Sequence, residues 1–529
     1  MKVMGGQAMG IYLNPGNIDF QEALNAEIYV DKTELIKFTN KVIRTTNKYV
    51  CVSRPRRFGK SMAADMLVAY YSKGCDSREM FSSYKISSDP SFEKHLNKYN
   101  VIHLNMIKYL EEAKNINNMI QFIEEDVIDE ITEEMPGLKM PRRVNLVNVL
   151  EKAFAQFKIP FIFIIDEWDC IFRKNKDDSK AQKEYLDFLK VLLKNQSYAA
   201  LVYATGILPI KKYGEHSALN MFTEITMTNP REYAEFTGFT ESEVAELCER
   251  YNMSYDETKR WYDGYNLKGL SIYNPRSVVM SMTGHDYDSY WTSTETYEAL
   301  KIYIQMNFDG LREKITNMIA GKRISVNIGK FQNDMASFSS VDDVLTLLVH
   351  LGYLTYDMTN NEVWIPNSEV QQEFINSIED GGWEEVMDAI NASSRLLDLT
   401  LKCDEEKVAE MIAKVHSDNT SILKYNDENS LSCVISLAYY SARKDYIIHR
   451  ELATGEGVAD VVFIPRKKSD KPAMIVELKK GHSAEEAVEQ IKKRNYSDKV
   501  SEYTGEILLV GINYDDEKGH TCRIEKIQK

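Results

Sequence analysis

The chain of 529 residues lacks any apolar run approaching ~18 residues, so no membrane-spanning helix and no membrane partner are expected. Its first residues, Met1-Lys2-Val3-Met4-Gly5-Gly6, carry no apolar signal region, which favours a cytoplasmic protein. Cysteine is sparse. The seven residues at 51, 75, 170, 248, 403, 433 and 522 form no C-x-x-C pair and show no histidine spacing for structural zinc, so they read as reduced thiols. Positive charge is also short: 65 Lys+Arg face 80 Asp+Glu, a formal charge of −15. No internal repeat or low-complexity tract appears. The hydrophobic content of 43% is enough for ordinary cores, and the length suggests about three domains.

The acidity is uneven. Residues 401–529 hold 21 basic and 23 acidic side chains, a net of −2, which leaves −13 for residues 1–400. Within 461–500 the balance reverses, with 10 basic against 6 acidic. Such a local excess suits either a phosphate backbone or a solvated helix face.

Near the N-terminus an apolar strand, Tyr49-Val50-Cys51-Val52, runs into Arg54-Pro55-Arg56-Arg57-Phe58-Gly59-Lys60-Ser61 and then a helical pattern from Met62. Gly-Lys-Ser at a strand-to-helix junction is the end of a phosphate-binding loop. There Gly59 and the helix N-terminus approach an anion, Lys60 reaches its terminal phosphates, and Ser61 helps hold Mg²⁺. The first glycine of that motif is missing, because Arg54 stands in its place. Glycine lets backbone amides curl at positive φ, which other residues reach at a cost of about 1 kcal/mol. The expectation is therefore a loop on another path, or weak binding, with the three arginines supplying charge that the backbone does not.

Two further strand tips point the same way. Phe161-Ile162-Phe163-Ile164-Ile165 is a continuous apolar run, as in a parallel strand buried on both faces, and it ends in Asp166-Glu167. Asp166 there suits Mg²⁺ and Glu167 suits the activation of water. Ala199-Ala200-Leu201-Val202-Tyr203 ends in Ala204-Thr205-Gly206, which sets a hydroxyl where a γ-phosphate sensor would lie.

The C-terminal part carries a second constellation. Val461-Val462-Phe463-Ile464 and Ala473-Met474-Ile475-Val476 are short apolar runs joined by a charged turn, and they should pair as an antiparallel hairpin. Pairing brings Asp460 and Glu477 to one end, and alternation puts Glu477 and Lys479 on one face. Two carboxylates and a lysine can bind Mg²⁺ and steady a hydroxide for attack on a phosphodiester. Ser483-x-x-Glu486 then opens a helix bearing Gln490, Lys492, Lys493 and Arg494 ahead of Tyr496. Glu428 is the candidate for an additional acidic ligand, with Glu451 competing.

These phrases, with Tyr29-Val30-Asp31-Lys32-Thr33, Trp261-Tyr262-Asp263-Gly264-Tyr265 and Tyr273-Asn274-Pro275, resemble the signatures of the bacterial AAA-ATPase-like family. Its members commonly end in a nuclease domain of the PD-(D/E)XK superfamily. The resemblance spans nearly the whole chain, and the arginine-rich loop without its first glycine is the family's own pattern. It implies an α/β architecture of an AAA-like P-loop domain, with a helical extension read from the pattern around Glu241–Asp263 (1–284), and an α/β restriction-endonuclease-like domain (396–529), while the largely helical pattern of 285–395, with a helix, glycine stop and strand at Val344–Leu354, reads as a winged-helix-like connector. The resemblance implies ATP, with Mg²⁺ or Mn²⁺, as cofactors and nucleic acid, DNA favoured, as partner, and leaves homo-oligomerisation open. Arg56, Arg57, Gly59, Lys60, Ser61, Asp166 and Thr205 would bind the nucleotide and its metal. Glu167, Asp460, Glu477 and Lys479 would be catalytic, Asp460 and Glu477 also as metal ligands. Gln490 and Tyr496 match the Q-x₅-Y element of some relatives. Gly457-Val458-Ala459-Asp460 lacks the arginine that relatives often carry before the aspartate, which leaves a nucleotide-regulated binding switch as the alternative to a nuclease. Arg56, Arg57 and Arg231 are the arginine-finger candidates.

Overall fold

A computed structural model describes residues 10–210, 219–291, 296–306, 308, 310–331, 338–423, 428–450, 461–466, 469–493, 505–515, 517 and 519–528. It divides into two compact units, Met1–Glu295 with Ser325–Val370, and Thr296–Ile324 with Gln371–Lys529. The architecture is mixed α/β, with a P-loop-type parallel sheet first, a helical middle and a C-terminal sheet.

The first unit is built on five parallel strands, β1 (Tyr49–Ser53), β2 (Asn100–Asn105), β3 (Phe161–Asp166), β4 (Ala199–Gly206) and β5 (Thr223–Ile225), in the order β2-β3-β4-β1-β5. β1, β3 and β4 are buried at every position, which is why their sequences are continuous apolar runs and do not alternate. Because the strands are parallel, their C-terminal tips share one edge. Val52 pairs with Thr205 and Ile165 with Ala204, so the exits of β1, β4 and β3 stand side by side. Open parallel sheets bind ligands at such an edge.

The helix Lys60–Tyr71 packs over this sheet. Ala63, Ala64, Leu67 and Tyr71 join Val50, Val52, Ile164 and Tyr203 in one core. The longer helix Ile116–Glu134 buries Ile116, Met119, Ile123, Val127 and Ile131, a stripe spaced by three and four residues, and Asn115 caps its start by accepting from Asn118 N–H.

Downstream, helices Glu241–Tyr251 and Tyr255–Tyr262 are inserted after the first strand of a small antiparallel sheet made by Phe239–Thr240, Leu270–Tyr273 and Tyr265–Leu267. Gly264 adopts φ of 111°, and a Cβ there would lie 2.1 Å from the Pro366 carbonyl oxygen, so the Trp261–Tyr265 phrase is a tightly packed corner. The helix Val341–Leu351 stops at Gly352, whose φ is 91°, and leads to the hairpin of Thr355–Asp357 with Glu362–Trp364. Tyr265 donates its hydroxyl to Gly352 O at 2.8 Å, and Thr355 Oγ1 accepts from Asn266 N–H at 2.8 Å. The stretch 285–395 is therefore shared between units, because 325–370 pack here and the helix Glu384–Leu401 packs with the C-terminal helices.

The second unit carries five strands, Tyr446–Arg450, Val461–Pro465, Ala473–Lys480, Glu506–Asp515 and Gly519–Gln528, ordered as they occur in the chain. Only the central pair, Ala473–Lys480 with Glu506–Asp515, is parallel. The helix Ala484–Lys493 makes that crossover and buries Ala487, Val488 and Ile491 against Ile475 and Leu509. Gly511 lets it come close, since a Cβ there would stand 2.2 Å from Ala484 O and 2.9 Å from Val488. Gly511→Ala should push this helix off the sheet and lower the stability of the C-terminal unit by about 1–3 kcal/mol, read as an earlier urea transition of the full chain.

Candidate functional site

In the first unit the loop 54–59 solves the missing-glycine problem by moving its turns. Within it positive φ occurs at Arg57 (67°) and Gly59 (79°). Arg54 instead continues β1, its N–H donating to Gly206 O at 3.0 Å. Its side chain is fully buried and donates through Nη1 to Ser53 O at 3.0 Å, and burial pushes the guanidinium down to about 10. The expectation that all three arginines face phosphate is thus corrected: Arg54 points inward and ties the base of the loop to the sheet. Arg57 donates to Tyr290 O at 2.9 Å, while Arg56 offers its carbonyl to Trp291 Nε1 at 3.2 Å. Burial lowers the affinity of Arg57 for its proton, and Arg276 and Arg56 add like charge. That concentration of guanidinium groups suits an anion.

Gly59, in the left-handed region, starts the helix Lys60–Tyr71 and aims its first N–H groups past the loop. Lys60 is buried and donates to Pro55 O at 2.9 Å. Desolvation lowers its proton affinity, opposed by Glu167, Asp166 and Asp169. Ser61 donates its hydroxyl to Asp166 Oδ2 at 2.7 Å, and Thr205 donates to Asp166 Oδ1. The helix after β1 and the tip of β4 thus meet on the carboxylate that ends β3. Asp65, one helical turn beyond Ser61, is pushed up to about 7 by burial, with Asp19 and Asp166 adding to it.

Glu167 follows at φ of 57°, a strained turn for a non-glycine residue. Its carboxylate meets the Arg173 guanidinium, and burial raises its proton affinity against the pull of Lys60 and Arg173. A hydroxyl and a carboxylate oxygen are hard donors of the kind Mg²⁺ takes, and that ion keeps several waters and needs few protein ligands, so Ser61 and Asp166 fit it. Beside Gly59 opens a cavity of about 500 Å³, walled mainly by apolar side chains including Phe20, Tyr29, Phe236 and Phe239, with Arg57 and Arg276 on its lining. It is large enough for a planar aromatic group.

In the second unit Glu477 is fully buried on the strand Ala473–Lys480, and Lys479 brings Nζ to 3.6 Å from its Oε1. Across the parallel pair Glu477 faces Gly511 and Lys479 faces Asn513. The antiparallel register pairs Val461 with Val476, the residues that follow Asp460 and precede Glu477. Asp460, Glu451 and Tyr496 lie outside the described residues, as does the side chain of Glu428, which begins the helix Glu428–Ala438. Gln490 sits half-buried on the helix covering the Glu477 face. A buried carboxylate beside an ammonium is oxygen-donor chemistry that fits a divalent ion. Among the described residues, no three His, Cys, Asp or Glu side chains gather where a metal could sit.

Residues 16–214 match the family described as predicted AAA-ATPase, and residues 426–524 match the PD-(D/E)XK nuclease superfamily. The two matches place an AAA-ATPase-like segment ahead of a segment similar to the PD-(D/E)XK nuclease superfamily. Both are enzyme families, and such families work with nucleotide and divalent metal. An uncharacterized protein from the vnfD 5′ region of Azotobacter chroococcum mcd 1 is 22% identical over 519 residues, 92% of either chain. The Walker-type ATPase PABY2304 of Pyrococcus abyssi shares 13% identity over 65% of this chain and 94% of its own, with a TM-score of 0.35. The Aeropyrum pernix ORC2 protein in its ADPNP–ADP complexes shares 12% over 67% and 97%, with a TM-score of 0.30. No helix among the described residues is long and apolar enough to cross a membrane.

Sequence reasoning missed Arg173 and Arg276 in the AAA-ATPase-like domain. Asp169 and Arg173 stand at i,i+4, a spacing that signals a pair. Arg276 and the cavity walls come from segments scattered over the chain and leave no local pattern. His350 was also unmarked: it is buried beside Arg54 with its ring stacked on Phe331, and burial and then the guanidinium push it from 6.5 down to about 3. A depressed histidine leaves the unfolded chain binding the extra proton between those values, so folded stability is lost as pH falls through that window. The loss should reach about 2 kcal/mol by pH 5. His350→Leu should flatten that part of the pH dependence in denaturant titrations at pH 7.5 and 5.

Proposed function

We propose that the AAA-ATPase-like domain binds and hydrolyses ATP with Mg²⁺ and that its nucleotide state controls a metal-dependent nuclease in the C-terminal domain. The observation that carries the first half is the convergence of Ser61, Asp166 and Thr205 beside the buried Lys60, next to an apolar cavity. Lys60, Arg56 and Arg57 supply positive charge to phosphate, and Gly59 lets the backbone approach it. Ser61 and Asp166 hold the metal, Thr205 senses the terminal phosphate through Asp166, and the adenine lies among the aromatic side chains of the cavity. Glu167 orients and deprotonates the attacking water.

The second half is supported by Glu477 and Lys479 on one strand face, with Asp460 preceding Val461, the register partner of Val476. Asp460 and Glu477 would hold the metal, Lys479 would stabilise charge developing on the phosphate, and Gln490 and Tyr496 would contact the backbone of the substrate, with Glu428 a further acidic ligand. A bound divalent ion would lower the pKa of a water and offset charge on the leaving oxygen. The basic excess within 461–500 favours nucleic acid as substrate, and DNA is the form we favour. The cytoplasm is the proposed setting.

The test is cleavage of linear, circular and single-stranded DNA and of RNA in Mg²⁺ or Mn²⁺, with and without ATP. Glu477→Ala should reduce cleavage by about 100-fold or more, the scale on which charge-stabilising groups act. Lys60→Ala should abolish ATP binding and remove the ATP dependence of cleavage. Cleavage at an unchanged rate with or without ATP, and in Lys60→Ala, would sink the coupling. ATP binding with no cleavage of any substrate would establish the binding switch in place of a nuclease.

A further inference from the structure

Glu167 leaves β3 on a left-handed turn that its side chain does little to favour, since a glutamate has three rotors and no cap to hold them. What holds it is Arg173, from the short helix Cys170–Lys174. A single guanidinium reaches Glu167 Oε2 through Nη2, Asp169 Oδ2 through Nε at 3.2 Å, and Asp169 Oδ1 through Nη2 at 3.4 Å. Its side chain is 9% exposed, that of Asp169 0% and that of Glu167 20%, so the network is shielded while the base still meets solvent. Only a planar fork serves two carboxylates in this way. A lysine offers a point charge.

Asp169 carries the connection onward. Its Oδ2 also accepts the N–H groups of Ile207 at 3.0 Å and Leu208 at 2.8 Å, the residues by which the chain leaves β4. Gly206 is fitted to this contact, because a Cβ there would lie 2.7 Å from the Trp168 ring and 2.9 Å from Asp169 Oδ1. The same strand end carries Thr205, whose hydroxyl is bound to Asp166. The carboxylate proposed as base and the hydroxyl proposed as sensor thus share one hydrogen-bonded frame.

We propose that Arg173 is a positioning residue for Glu167, and that through Asp169 it ties the orientation of the base to the exit of β4. This rests on the reading of the first domain as an ATPase. Arg173 engages Oε2 and presents Oε1 to water. A shift at Thr205 moves Ile207 and Leu208, hence Asp169, hence the guanidinium that aims Glu167.

The test uses the full chain, with steady-state ATP hydrolysis and equilibrium binding of ATP measured for wild type, Arg173→Ala, Arg173→Lys, Glu167→Gln and the double variant Arg173→Ala/Glu167→Gln. Arg173→Ala should lower kcat by about 10- to 100-fold, part of the roughly 10²- to 10⁴-fold that a positioned base supplies, while KM and the ATP dissociation constant hold. Arg173→Lys should recover part of the loss. In the Glu167→Gln background the second change should cost less than about twofold, because the base it positions is already gone. Three results overturn the inference: kcat of Arg173→Ala within about twofold of wild type, a full additional loss in the Glu167→Gln background, or a fall in ATP affinity that matches the fall in rate. Wild type that binds no ATP overturns the nucleotide reading itself, and this inference with it, before any variant is compared.

Discussion

The carboxylate of Asp166 is the point on which the N-terminal domain is organised. It accepts the hydroxyl of Ser61 from the helix after β1, the hydroxyl of Thr205 from the tip of β4, and the N–H of Glu167 from the turn after β3. A buried carboxylate is costly unless its lone pairs are filled, and here they are filled by the next N–H in the chain and by two hydroxyls from distant segments. The two hydroxyl bonds require the strand order in which β4 separates β3 from β1. The order therefore matters to the chemistry as much as any residue identity.

Charge around that point is arranged by direction as well as by number. Arg54 is drawn beneath the loop, where it tethers backbone and discourages protonation of His350, while Arg57 and Arg276 line the cavity and Arg56 adds like charge to Arg57. Lys60 is buried among Glu167, Asp166 and Asp169, which keep an ammonium tolerable there despite its desolvation. The loop loses the flexibility of a first glycine and regains it at Arg57 and Gly59, two positive-φ positions close to the helix. The net charge of −15 says nothing about this local field, since a site is governed by charges within roughly a Debye length, ~8 Å in physiological salt.

The C-terminal domain uses simpler means. Strand alternation alone puts Glu477 and Lys479 on one face, and the parallel partner strand offers Gly511 opposite the carboxylate, so the covering helix can come down on the sheet. The antiparallel neighbour strand sets Val461 opposite Val476 and Phe463 opposite Met474.

Local pattern by itself determined the apolar strands at 49–52, 161–165 and 199–203, the Gly-Lys-Ser junction, the Asp166-Glu167 and Thr205 tips, and the C-terminal hairpin with its Glu-x-Lys face, because each of these is written within about ten residues and burial or alternation leaves a period that can be read, whereas the two domain families came from the resemblance of several such phrases taken together. Tertiary structure alone decided that Arg54 turns inward, that Arg173 grips Glu167, that His350 lies against Arg54, that the helix Val341–Leu351 packs with the first unit, and that aromatic side chains from distant segments wall one cavity. The physical reason is the range of the forces involved. Backbone propensity and amphipathic period act between neighbours in the chain, whereas the direction of a buried charge is set by whichever carbonyls and carboxylates the fold happens to place beside it.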